Sequence, residues 1–198
     1  MSNEPSDPDG VESWRTAERK RLIAERLAIP AATRRKYAEG IAAGLGSLFS
    51  DGEIAGHVCS VYWPFRGEPD LRGWMKKWHH SGGISALPCV VERRSPLIFR
   101  VWEPGARMER GIWNIPVPLH GSEVIPAIVI APLVGFDRDG YRLGYGGGYF
   151  DRTLAALPSK ARVIGVGFSR CEITTIYPQD FDIPMDVIVT EKGVVHSG

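Results

Sequence analysis

The sequence predicts an α/β fold, a parallel or mixed sheet with helices on both faces. Short apolar runs alternate with segments of helical period along most of the chain, the pattern of strands joined through helices. The run AIVIA at 127–131 is apolar throughout, as expected of a strand buried on both faces. A chain of 198 residues that is 43% hydrophobic is long enough to enclose one sizeable core.

Residues 1–12, polar and rich in proline and aspartate, read as a disordered tail, and residues 13–198 as a single domain. Two helices open the domain. The first, 13–28, is unusually basic, with Arg15, Arg19, Lys20, Arg21 and Arg26. The second, 31–49, follows Pro30 and carries Tyr37, Ile41, Leu45 and Leu48 at helical spacing. A strand is expected over 57–63, a helix over 71–80, and strands over 84–91, 97–102 and 127–131. A glycine loop then leads into a helix at 149–157, and strands at 162–168 and 187–190 complete the set. No internal repeat occurs, and the prolines fall between elements without marking a linker.

Composition narrows the function. The net charge of +1 gives no support for a nucleic-acid partner. No apolar run reaches the length of a membrane span, and the N-terminus lacks the apolar core of a signal peptide, so a cytoplasmic location is expected. Cys59, Cys89 and Cys171 are widely spaced and form neither a disulfide framework nor a metal pair. The five histidines fall outside ligand spacing too; His79 and His80, on a helix, would point about 100° apart. There is no Ser-His-Asp arrangement, no activated cysteine and no redox motif.

The most informative run is RLGYGGGYFDRTL, beginning at Arg142. Gly144, Gly146, Gly147 and Gly148 precede a helix start, where free N–H groups and the helix dipole favour an anion. Arg142 and Arg152 flank the loop with positive charge. It is not the dinucleotide fingerprint, because Tyr149 occupies the third glycine position, and it has no GK[ST] of a P-loop. Nor does it follow directly from the 127–131 strand. Asp151 either caps the helix or holds a metal ion that accompanies a phosphate. Other segments admit two readings. The basic helix is a solvated face, or sends Arg15 and Arg19, four apart on one face, to phosphates. The run YWPFRGEPD, from Tyr62, either packs its aromatics in the core and caps a helix, or binds a flat heterocycle with polar edges. Trp113 to Pro116 reads as a packing turn or a site element, and Asp182 and Asp186 as metal carboxylates or a surface loop.

Together these segments resemble the 5-formyltetrahydrofolate cyclo-ligase family. The resemblance is densest in PLVGFDRDGYRLGYGGGYFDRTL and is supported by WNIPVP, YWPFRGEPD, VIGVGF and DIPMDVIVTEKGV. It implies a three-layer α/β sandwich with a central, mostly parallel sheet. It also implies conversion of 5-formyltetrahydrofolate and ATP to 5,10-methenyltetrahydrofolate, ADP and phosphate, with magnesium. By matching positions, Arg15, Arg19, Arg142, Leu143, Gly144, Tyr145, Gly146, Gly147, Gly148, Tyr149 and Phe150 would bind ATP. Trp63 and Glu68 would meet the folate, joined by Tyr145 through Tyr149 where the two ligands adjoin. Arg142, Tyr149 and Arg19 take the catalytic roles, and Asp151 and Asp182 would hold magnesium. The partner implied is a small reduced folate, and a monomer or weak dimer is expected. Leu71, Cys89 and Phe181 depart from the family's threonine, arginine and histidine, and Arg15 stands where lysine is common. These departures motivate two alternatives: a paralogue acting on another amide-bearing metabolite, such as a thiamine-related one, and a non-catalytic nucleotide- or folate-binding protein.

Overall fold

A computed structural model of the chain describes residues 7–197. Helix α1 spans Pro8–Ala28 and so starts earlier than its apolar periodicity predicts. The reason is local. Asp7 is the N-cap, its carboxylate accepting the Gly10 N–H at 2.7 Å, and Pro8 takes the first helical turn, where its missing N–H costs nothing. The expectation of a disordered tail therefore fails for residues 7–12; residues 1–6 lie outside the described residues.

Helix α2 is Ala31–Gly46 and α3 is Asp51–Ile54. Strand β1 is Val58–Ser60, α4 is Arg72–His80, β2 is Ile84–Cys89 and β3 is Ile98–Trp102. A ribbon of β4, Met108–Arg110, and β5, Pro116–Pro118, encloses a 3-10 turn at Ile112–Asn114. Strand β6, Ile128–Pro132, leads to a second ribbon of β7, Gly135–Phe136, and β8, Arg142–Leu143. Helix α5, Tyr149–Ala156, strand β9, Arg162–Val166, β10, Val187–Thr190, and β11, Gly193–Ser197, finish the chain. Strands β4, β5, β7 and β8 are two or three residues long, too short for alternation to register in the sequence.

Seven strands form one sheet in the order β11-β10-β9-β6-β1-β2-β3. The inner pairs are parallel, and β11 and β3 close the edges antiparallel. Alternate residues of β6 divide between two cores: Ile128 and Ile130 pack with Leu22, Ile41, Leu45 and Trp74, whereas Val129 and Ala131 pack with Phe150 and Leu154. Thus α1, α2 and α4 cover one face and α5 the other. No helix among the described residues is long and apolar enough to cross a membrane.

From β1 the chain moves outward to β2 and β3, then returns to place β6 on the other side of β1. Strand order reverses between β1 and β6. Loops leaving the carboxyl ends of two such strands diverge and leave a crevice, the usual ligand position in open α/β sheets. The segments there are 61–71 after β1 and 133–148 after β6, both singled out in the sequence.

Candidate active site

Strand β8 runs straight into the glycine loop, which therefore does follow a strand, though not the predicted one. Gly146 (φ +88°) and Gly148 (φ +61°) take left-handed conformations, and Gly148 occupies the N-cap of α5. No side chain caps that helix, so its first N–H groups stay available to a ligand. Asp151 does not cap it either. Its carboxylate accepts both Nη1 and Nη2 of the buried Arg142, at 2.9 and 2.8 Å, and the Ile183 N–H at 3.3 Å.

Helix α1 is not the solvated face that its charge suggests. Arg15 and Arg26 are buried, and Arg19 is largely so. Arg19 Nε donates to the Gly144 carbonyl at 3.0 Å, and its guanidinium carbon lies only 3.2 Å from where a Cβ on Gly146 would stand. Arg15 donates to Asp182 at 2.5 Å and to the carbonyls of Ile176 and Tyr177. Arg21 is exposed between Glu18 and Glu25.

Across the crevice stands Glu68, only 7% exposed. Its Oε2 accepts the Phe65 N–H at 2.8 Å and its Oε1 accepts the Tyr145 hydroxyl at 2.9 Å. Burial pushes this carboxyl up to about 7, against the downward pull of the Arg26 charge and its two hydrogen bonds. Burial, then the Glu68 charge, likewise raises the Tyr145 phenol. Trp63 is half-buried, edge-on to Trp102 at 6.4 Å and beneath the Arg72 guanidinium. Tyr149 opens α5, with Trp113 edge-on to its ring at 5.4 Å.

Asp151 and Asp182 lie on adjoining segments, because the Ile183 N–H reaches Asp151. No group of three or more His, Cys, Asp or Glu suited to a metal exists among the described residues. Two carboxylates suffice for magnesium, which keeps several waters and takes substrate phosphates for the rest of its shell. In this structure each carboxylate is paired with a buried arginine, Asp151 with Arg142 and Asp182 with Arg15, so holding a magnesium ion on a phosphate chain would require both arginines to move from their carboxylates.

Several predicted positions face inward. The Leu143 side chain is core, so only its backbone can meet a ligand, and Phe150 is partly buried against the cluster beneath α5, under the Arg142 guanidinium. Leu71 is fully buried in the main core and Cys89 is buried at the end of β2, whereas Phe181 is exposed. Asp186 accepts the Val163 N–H and sits 3.7 Å from Lys160, contacts that anchor its loop. One residue of the site was given no role in the sequence reading. Arg26 is hidden in the heart of the site, and its only signal was a seven-residue spacing from Arg19 on one helical face. Trp113, which the sequence offered as a packing turn or a site element, is 56% exposed in a turn where it and Asn114 both have positive φ, a strained pair of non-glycine residues.

Comparison with known proteins agrees with this fold. The model of the 5-formyltetrahydrofolate cyclo-ligase family matches residues 11–191. The 5-formyltetrahydrofolate cyclo-ligase of Mycolicibacterium smegmatis is 28% identical over 186 residues, covering 89% of this chain and 94% of that protein. That of Escherichia coli is 30% identical over 149 residues, covering 71% and 81%. The 5,10-methenyltetrahydrofolate synthetase of Aquifex aeolicus, solved by NMR, superposes with a TM-score of 0.77 at 29% identity over 91% of each chain. The synthetase from Mycoplasma pneumoniae shares the fold, with a TM-score of 0.74 at 21% identity over 89% of this chain and 98% of that one. An open α/β sheet with a glycine loop and a buried carboxyl at its switch point, matched along nearly its whole length, places this chain in the 5-formyltetrahydrofolate cyclo-ligase family.

Proposed function

We propose that the chain converts 5-formyltetrahydrofolate and ATP to 5,10-methenyltetrahydrofolate, ADP and phosphate. The supporting observation is the Tyr145–Glu68 hydrogen bond, which joins the anion-binding loop to the one buried carboxylate on the opposite wall of the crevice. ATP phosphates lie along Gly144 to Gly148 and the start of α5, with Arg19 and Arg142 beside them and Arg15 behind. The reduced folate lies against Trp63 and Glu68, the carboxylate accepting from a folate N–H. Each Glu68 oxygen already holds one donor and keeps a further acceptor position.

The formyl oxygen attacks the γ-phosphorus and ADP leaves, giving an imidoyl phosphate on the folate. The nitrogen at folate position 10 then attacks the formyl carbon and gives up its proton, and phosphate departs as the ring closes. No protein nucleophile is required. The chain contributes positioning and charge neutralisation, through Arg19, Arg142 and the α5 N-terminus, with Tyr149 at the reacting junction. Asp151 and Asp182 would hold magnesium, which supplies further neutralisation of the phosphates. Leu71 and Cys89, which motivate a different substrate, have interior side chains, and neither alternative gains an observation in its favour.

Mixing the protein with 5-formyltetrahydrofolate, ATP and magnesium should give rising methenyltetrahydrofolate absorbance. A folded, ATP-binding protein that produces none would sink the proposal.

A further inference from the structure

The Arg26 side chain is buried almost completely, at 1% exposure. Each of its nitrogens donates: Nε to the Arg66 carbonyl at 3.0 Å, Nη1 to the Leu133 carbonyl at 3.1 Å, and Nη2 to the Tyr145 hydroxyl at 2.5 Å. All three acceptors are neutral, and among the described residues no carboxylate forms an ion pair with it. A guanidinium removed from water needs a balancing charge nearby. Here that charge stands one hydrogen bond away, at Glu68 beyond Tyr145.

With Glu68 ionised, the direction of the chain is forced. A guanidinium only donates, so the phenol oxygen accepts from Arg26 and its single proton is committed to Glu68 Oε1. The loop before Glu68 is folded onto this side chain. Arg66 (φ +45°) and Gly67 (φ +76°) are both left-handed, which turns the Arg66 carbonyl to Arg26. A Cβ on Gly67 would lie 3.3 Å from Leu27 Cδ2 and 3.7 Å from Arg26 Cγ. One guanidinium thus ties α1, the loop after β1, the end of β6 and the glycine loop together at the switch point.

We propose that Arg26 is a positioning residue: it holds Tyr145 as a donor to Glu68 and thereby couples the glycine loop to that carboxyl. Its consequence for turnover rests on the cyclo-ligase function proposed above; its effect on Glu68 does not. The groups facing Glu68 are Arg26 from α1, Tyr145 from the glycine loop and Tyr62 after β1, with Asp70 beyond Tyr62 and Arg66 on the same loop.

The test is an NMR titration of the Glu68 carboxyl in the ligand-free protein, with Glu68→Gln identifying the signal. The variants are Arg26→Met, Arg26→Lys and Tyr145→Phe. Arg26→Met and Tyr145→Phe should raise the midpoint by about one pH unit, a tenfold change in proton affinity. Arg26→Lys keeps the charge and should restore most of the wild-type midpoint. In the activity profile, Arg26→Met should lose kcat/KM near neutral pH and recover it as pH rises, whereas a merely structural role lowers the whole profile. A midpoint unchanged or lowered in Tyr145→Phe overturns the proposal, and that variant carries the test even if Arg26→Met does not fold. A raised midpoint in a protein without folate turnover supports the role of Arg26 and counts against the cyclo-ligase function.

Discussion

Asp151 is where a single side chain has two tasks. Its carboxylate pairs with Arg142, whose side chain is 5% exposed, so Asp151→Asn removes the partner of a buried cation. The expected cost is about 3 kcal/mol of stability, alongside a loss on the order of a hundredfold in turnover. Adding Arg142→Met should recover stability without turnover, read by thermal denaturation beside the activity assay. Glu68 behaves differently. Its folded-state value of about 7 lies above the ordinary 4.5, so the fold favours the protonated form. The stability it contributes is full below pH 4.5 and is lost as pH rises through about 7, a change of about 3 kcal/mol. Glu68→Gln should flatten the stability–pH curve over that interval; parallel curves for the two proteins would contradict the shift. The sequence exposed Glu68 and Asp151 as candidates because each follows an unusual loop. It hid Arg26, because a charged residue on a basic helix looks solvated until the partners of its face are known.

Elements of full length were legible, and those shaped by tertiary contacts were not. Continuous apolar runs located β6, β9 and β10 well. The β1 run was overextended, since residues after Ser60 keep an apolar composition while leaving the sheet to form the crevice wall. Helix α1 was started late because its opening turn is polar, although Asp-Pro is a capping pair. Asp7→Ala should cost about 1 kcal/mol with activity unchanged, and an unaltered melting temperature would show that the start of α1 does not depend on this cap. The glycine loop was correctly read as a helix N-terminus, but its left-handed N-cap was not foreseen. At Gly148, with φ +61°, an added Cβ would stand 2.8 Å from Arg152 Nη1. Gly148→Ala should cost about 1–2 kcal/mol from the left-handed backbone alone and weaken ATP binding, as isothermal titration would show.

For the whole molecule, topology does the work that sequence motifs only hint at. Segments 61–71 and 133–148 are far apart in the chain, and nothing in either announces the other. They meet because strand order reverses between β1 and β6, and the contact is the Arg26–Tyr145–Glu68 chain. The resemblance to the family implied that the two segments share a site, one wall for nucleotide and one for folate, and the fold brings the two segments together. The central claim is that these walls form one site in which phosphoryl transfer and ring closure are coupled. The most direct check is a single-turnover reaction with enzyme in excess, measuring ADP and methenyltetrahydrofolate together. Equal amounts formed in step are predicted; ADP released without methenyltetrahydrofolate would contradict the coupling of the two walls.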